Sequence, residues 1–262
     1  MSTTTFPAAA SRGSAAAVSP INRTTEQWPV PRLIAMHLLP GLIIVGGYAV
    51  IAWAMRGLAV PSLLPLVLAI PVTLVPAELG YLLYQGKRRH GHLTLQGVID
   101  YNQPLTGKQY AIWIPATLLA TIMLFVLFGF TDGILLQRVF FWWPAWMNPD
   151  FGSLAGLSPL ALWTTVGMLM LFGNWIGPAV EELYFRGYLL PRMEHLGRWG
   201  VVLNGVLFAS YHFWSPWSVF SRAVAILPLG FVARSKRNVI VPIVVHCALN
   251  TIGTLLVLGA IL

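Results

Sequence analysis

Three short polar patterns interrupt otherwise apolar stretches, and each contains residue types that move protons or hold charge. They are Glu181-Glu182-Leu183-Tyr184-Phe185-Arg186-Gly187, Phe208-Ala209-Ser210-Tyr211-His212 and His246-Cys247-Ala248-Leu249-Asn250. A carboxylate can take a proton from water, an imidazole can hold or pass one, and an amide can donate to a developing oxyanion. Helical geometry at 100° per residue separates the two glutamates. Glu182 and Arg186 stand one turn apart on one face and can pair, while Glu181 lines up with Phe185 and Tyr188. One carboxylate is then fixed as an ion pair and the other stays free for proton transfer. His246 and Asn250, again four apart, point the same way.

A glutamate with two histidines can also form a three-ligand zinc site with one position left for water. Glu181, His212 and His246 are the set that would hold such a metal. The sequence has no His-Glu-x-x-His, and the single Cys247 excludes an internal disulfide and a multi-cysteine site. A metal-free acid–base set and a metalloprotease-type zinc site both suit these residues, with the metal-free form preferred. There is no Gly-x-Ser-x-Gly for a nucleophilic serine and no Gly-x-Gly-Asp for an aspartyl pair.

The elements that must position these groups are set by composition. Of 262 residues, 57% are hydrophobic and 9% charged, with a mean hydropathy of +0.73. Such a chain lacks the polar surface of a water-soluble domain and the charge of a disordered one. The fold class expected is an all-α, polytopic integral membrane helical bundle of about seven (seven to eight) transmembrane helices. The apolar runs fall at about 33–55, 62–84, 110–130, 158–190, 200–214, 218–233 and 238–260. Residues 1–32, rich in Ser, Thr, Ala and Pro, read as a disordered cytoplasmic tail, and 33–262 as a single transmembrane domain. The net charge of +8 comes without a basic, aromatic-interleaved groove, so no nucleic-acid partner is expected.

Lysines and arginines set the orientation. With seven spans and the N-terminus inside, one side receives the tail, Lys87-Arg88-Arg89, Lys108, the 191–199 turn and Arg234-Ser235-Lys236-Arg237. The other receives only Arg56, Arg138 and Arg222. The N-terminus is therefore expected in the cytoplasm and the C-terminus outside, with the aromatic run Phe140–Trp146 at the outer interface. Depth supports convergence: at ~1.5 Å per residue, Glu181 lies about 14 Å from Leu190, His246 about 12 Å from Asn238 and His212 roughly 20 Å from Arg198. These values predict a water-filled pocket in the inner half of the membrane, open to the cytoplasmic side. Pro178 predicts a kink beside Glu181 by freeing the carbonyl of Asn174.

Taken together and in this order, the three patterns resemble the CPBP family of intramembrane endopeptidases, which includes type II CAAX prenyl proteases and bacteriocin-immunity-type membrane proteins. The family motifs Glu-Glu-x-x-x-Arg, Phe-x-x-x-His and His-x-x-x-Asn are intact here, within about residues 175–255. The resemblance implies hydrolysis of a peptide bond in a membrane-associated substrate, of which a prenylated CAAX chain is one option, in the lipid bilayer of a bacterial cell. Glu181 and His212 would activate water, His246 and Asn250 would form the oxyanion hole, and Glu182 and Arg186 would support Glu181.

Two other readings compete. One is a non-catalytic immunity or scaffolding membrane protein that binds a peptide or partner; the other is a proton-coupled carrier, which the lack of internal repeats disfavours. Glu78, inside the second apolar run, reads as a partner for a neighbouring polar side chain or as snorkelling toward the inner surface, rather than as a gate or second proton group. His37, His90, His92 and His195 are assigned to boundaries and loops with no role.

Overall fold

Each of the seven apolar runs falls mainly on helix in the computed structural model, which describes residues 25–261. The helices are α1 (Val30–Met55), α2 (Leu64–His90), α3 (Gly107–Phe128), α4 (Phe130–Arg138), α5 (Pro159–Leu196), α6 (Arg198–Tyr211), α7 (Pro216–Ala225), α8 (Leu227–Lys236) and α9 (Ile240–Ile261). No strand occurs among the described residues; one isolated bridge joins Asn102 to Asn238. The protein is an all-α integral membrane bundle.

The count of seven spans is not confirmed. Five helices (α1, α2, α3, α5 and α9) are long and apolar enough to cross a membrane, or six if α7 and α8, bent by 43° at their junction, make one span. Helix α6 has only 14 residues, about 21 Å at helical rise, too short for a ~30 Å hydrocarbon core. Residues 1–24 of the segment read as a tail lie outside the described residues. Its remainder is ordered at two points: α1 starts at Val30, and Trp28 is buried with its backbone N–H on the Arg192 carbonyl at 3.1 Å.

Local sequence fixes the helix ends. Thr106 and Gln109 form a reciprocal capping box that starts α3. Ser158 caps α5 ahead of Pro159. Gly91, at φ +80°, ends α2 in the left-handed conformation. The Asn238 side chain accepts from Val241 N at 3.1 Å to begin α9.

Loop contacts gather the basic residues at one end. Arg192 pairs with Asp100 at 2.9 Å and Arg234 with Glu194 at 2.9 Å, and Gln103 N donates to the Arg237 carbonyl at 2.8 Å. The loop between α2 and α3 lies across this end, where Asp100 N donates to the Gly187 carbonyl at 3.0 Å. A Cβ on Gly187 would stand 2.9 Å from Ile99 Cγ2, so glycine here lets the loop close against α5. Buried Tyr184, Phe185, Tyr188, Leu189, Phe208 and Tyr211 form the apolar centre above it.

Candidate functional site

Helix α5 carries the first motif through two wide π-type stretches, Leu169–Ile176 and Leu183–Leu189, with an α-helical turn Gly177–Glu182 between them. Such irregularity is a frequent mark of functional segments. Pro178 sits at this junction, but the carbonyl held by another group is not the expected Asn174. In π register Pro178 follows Gly173 by five residues, and the Gly173 carbonyl accepts from Asn250 Nδ2 at 3.0 Å. Asn174 instead donates its amide to Thr254 Oγ1 at 2.9 Å. Both contacts tie α9 to the distorted turn.

Glu181 and Glu182 face different partners, as the helical wheel anticipates. Glu182 Oε1 accepts from Arg186 Nη1 at 3.1 Å and from His246 Nδ1 at 2.9 Å, with Glu182 and Arg186 fully buried. Glu181 accepts from the Tyr211 hydroxyl. His212 Nε2 lies 3.7 Å from its Oε1 and His246 Nε2 3.9 Å from its Oε2. The structure therefore brings Glu181, His212 and His246 together and places Glu182 and Arg186 directly behind them. Asn250, one turn further along α9, lies on the same cavity wall.

His212 is not within a helix. It caps α6 at φ −78°, ψ 58°, and its Nδ1 donates to the Phe208 carbonyl at 2.8 Å. That bond consumes the Nδ1 proton, so the neutral ring turns a bare Nε2 toward Glu181. The same logic applies to His246, whose Nδ1–H is held by Glu182. Phe208 explains the aromatic position of the second motif. Its ring packs against His212 and His246 at centroid distances of 4.8 and 6.0 Å, and the Arg186 guanidinium lies over it at 4.1 Å. The end of α6 rests on α1 at Gly41, where a Cβ would overlap the Tyr211 carbonyl oxygen.

A cavity of about 700 Å³ opens above these groups. Its walls are mainly apolar, and Glu181, His212, His246 and Asn250 lie among its lining residues. The lining does not reach the basic end, the side on which the opening was expected. The lining runs from Glu181 and His246 toward Leu63, Asp132, Pro149 and Phe151, away from the basic end. The Glu182–Arg186–Phe208 layer and the loop closed on Gly187 fill the basic side. Depth along the helices was informative, but rise alone cannot tell which side is sealed. Val126 of α3 and Leu256 of α9 line the cavity and are 79% and 71% exposed, so it also opens laterally between these helices.

Other residues escaped the sequence reading. Tyr211 was unassigned although it sits beside His212 in the second motif. Its hydroxyl, which donates to Glu181, also faces Glu78. Glu78 is fully buried beside that hydroxyl, with no hydrogen-bond donor on either oxygen. His37 is no boundary residue: it is buried inside α1, with Nδ1 on the Leu33 carbonyl at 2.7 Å and Nε2 accepting from Asn204 at 3.0 Å. Cys247 is partly buried and donates weakly to the Trp175 carbonyl at 3.6 Å.

The metal expectation can be tested on geometry. Among the described residues, no group of three His, Cys, Asp or Glu side chains is placed to hold a metal ion. The Nε2 atoms of His212 and His246 lie 3.7 and 3.9 Å from the Glu181 carboxylate oxygens.

Comparison with known proteins assigns the segment that carries all three motifs. Residues 159–252 match the family model described as Rce1-like, type II CAAX prenyl endopeptidase Rce1-like. This bears out the resemblance to the CPBP family. No curated protein and no solved structure matches the chain.

Proposed function

We propose, from an Rce1-like segment whose three motifs converge on one buried carboxylate, that this protein is an intramembrane endopeptidase using a Glu181-activated water. The observation that carries the reading is the approach of two bare imidazole nitrogens, His212 Nε2 and His246 Nε2, to Glu181 from either side at 3.7 and 3.9 Å. These distances are too long for direct hydrogen bonds and leave a polar position for a small oxygen nucleophile. A water there donates to Glu181 Oε1 and His212 Nε2, and Glu181 takes its proton as it attacks the scissile carbonyl.

His246 and Asn250 then serve the developing oxyanion. Asn250 has one amide N–H committed to Gly173 and a second free to donate. His246 becomes a donor at Nε2 on receiving the water's proton from Glu181, and Glu182, bound at Nδ1, stabilises the resulting cation. The proton later passes to the leaving amine. No step in this account runs through a metal. Metal analysis of the purified protein, with activity measured before and after chelation, contradicts that account if activity follows bound zinc.

The substrate proposed is a membrane-associated peptide or protein, with a prenylated CAAX chain as one option that the apolar cavity would accept. We orient the N-terminus toward the cytoplasm, because the basic end would otherwise break the positive-inside bias. The cavity then opens toward the opposite half of the bilayer.

The test is cleavage of quenched-fluorescent membrane peptides, farnesylated CAAX sequences included, by detergent-purified protein beside folded Glu181→Ala and His246→Ala variants. Cleavage by wild type alone supports the reading. Cleavage at equal rate by all three contradicts it. Biological function retained in Glu181→Gln would favour the non-catalytic binding protein instead.

A further inference from the structure

Arg222, placed on the outer side by the sequence, lines the same cavity as Glu181 and His212. It extends from α7, and its Nη2 donates to Ser215 Oγ at 3.1 Å. Ser215 N in turn donates to the His212 carbonyl at 2.9 Å, so two hydrogen bonds tie the guanidinium to the His212 backbone. Its Nη1 is buried with no acceptor. Among the described residues Arg222 belongs to no ion pair. Asp132 lines the same cavity, with its Oδ1 also buried and unpartnered; it is a charge neighbour of Arg222 without a direct ion pair.

An unpaired guanidinium in a mainly apolar cavity calls for an anion with planar, charge-matched oxygens. Arg186, the fully buried arginine of the site, already has Glu182. Resting on the peptidase reading above, we propose that Arg222 anchors a substrate carboxylate, the free C-terminus of the peptide being cut. The anchor is joined to His212 through Ser215, so the bond attacked lies a short way from the chain end. Apolar side chains between bond and terminus would occupy walls such as Phe125, Leu169, Leu249 and Trp217.

The test measures binding separately from cleavage. A fluorescent farnesylated tetrapeptide with three apolar residues after its cysteine is prepared as the free acid and as the C-terminal amide. Affinity is measured by anisotropy on full-length protein carrying Glu181→Gln, so that the peptide survives. The free acid is expected to bind at least about tenfold more tightly, as a charge-assisted pair in a dry site should allow. Adding Arg222→Gln is expected to bring the two affinities within about twofold, with Arg222→Lys in between. Asp132→Asn is expected to keep or increase the preference, whereas a structural Arg222–Asp132 pair would make it lower the melting temperature without affecting the preference. Equal binding of acid and amide, a preference unmoved by Arg222→Gln in folded protein, or no binding of either peptide overturns the anchor. Wild-type cleavage is scored separately: an intact acid preference without cleavage of any peptide leaves the carboxylate site standing and removes the peptidase reading.

Discussion

His246 Nδ1 lies 2.9 Å from the Glu182 oxygen that also holds Arg186 at 3.1 Å, and this shared oxygen fixes which ring nitrogen His246 turns toward Glu181. Glu182→Gln is therefore expected to lower kcat by about 10²–10⁴-fold through loss of the oriented tautomer. It also strands Arg186 in the interior, which costs about 3–5 kcal/mol of stability. Replacing the pair together, as Glu182→Gln with Arg186→Met, should recover much of the melting temperature without restoring cleavage. Recovery of both would show that Glu182 acts only on folding.

Asn250 serves two partners in the account, the Gly173 carbonyl at 3.0 Å and the oxyanion. Asn250→Ala should reduce kcat by about 10²–10³-fold, the usual effect of losing one oxyanion donor. The stability change should be only about 1 kcal/mol, the net worth of one hydrogen bond. A stability loss without a kinetic one, measured by thermal unfolding beside steady-state cleavage, would assign Asn250 to helix packing alone.

Much of this site was legible in the sequence because its pairs are local. Glu182 with Arg186 and His246 with Asn250 are four residues apart, and helical periodicity predicts such neighbours directly. The pairing of His246 with Glu182 spans 64 residues and depends on how α5 and α9 pack, which periodicity cannot supply. Arg222 was placed only on the outer side, because hydropathy cannot show that a charge inside the 218–233 run lines the same cavity as Glu181. The opening direction was hidden because it depends on which side the 95–103 loop closes. The count of seven is not confirmed because α6 stops at Tyr211, where His212 leaves helical geometry and turns toward Glu181.

Glu78 has no donor on either oxygen and sits against Tyr211. Glu78→Gln removes a titratable group while keeping shape, so it should leave the melting temperature unchanged or raise it. Loss of a measured stabilising pair is not expected, since none is present to lose. A large drop in thermal stability would reveal a hydrogen-bonded role for this carboxylate.

The lateral opening between α3 and α9 makes a separate prediction. In a Cys247→Ser background, Val126→Cys and Leu256→Cys bridged by a short bis-maleimide should block cleavage of a membrane-anchored peptide. Each single cysteine, capped by a monofunctional maleimide, should retain more activity than the bridged pair. Full activity in the bridged protein would show that substrate enters elsewhere.

The most direct test of the central claim compares wild type with Glu181→Gln on one peptide, measuring binding and single-turnover cleavage together. The amide keeps the size of the side chain and an oxygen for Tyr211, but cannot accept the water's proton as a carboxylate does. The account predicts a Kd within about threefold of wild type and cleavage slowed by at least about 10²-fold, as expected for loss of a general base. Cleavage by Glu181→Gln at the wild-type rate, with binding intact, would contradict it.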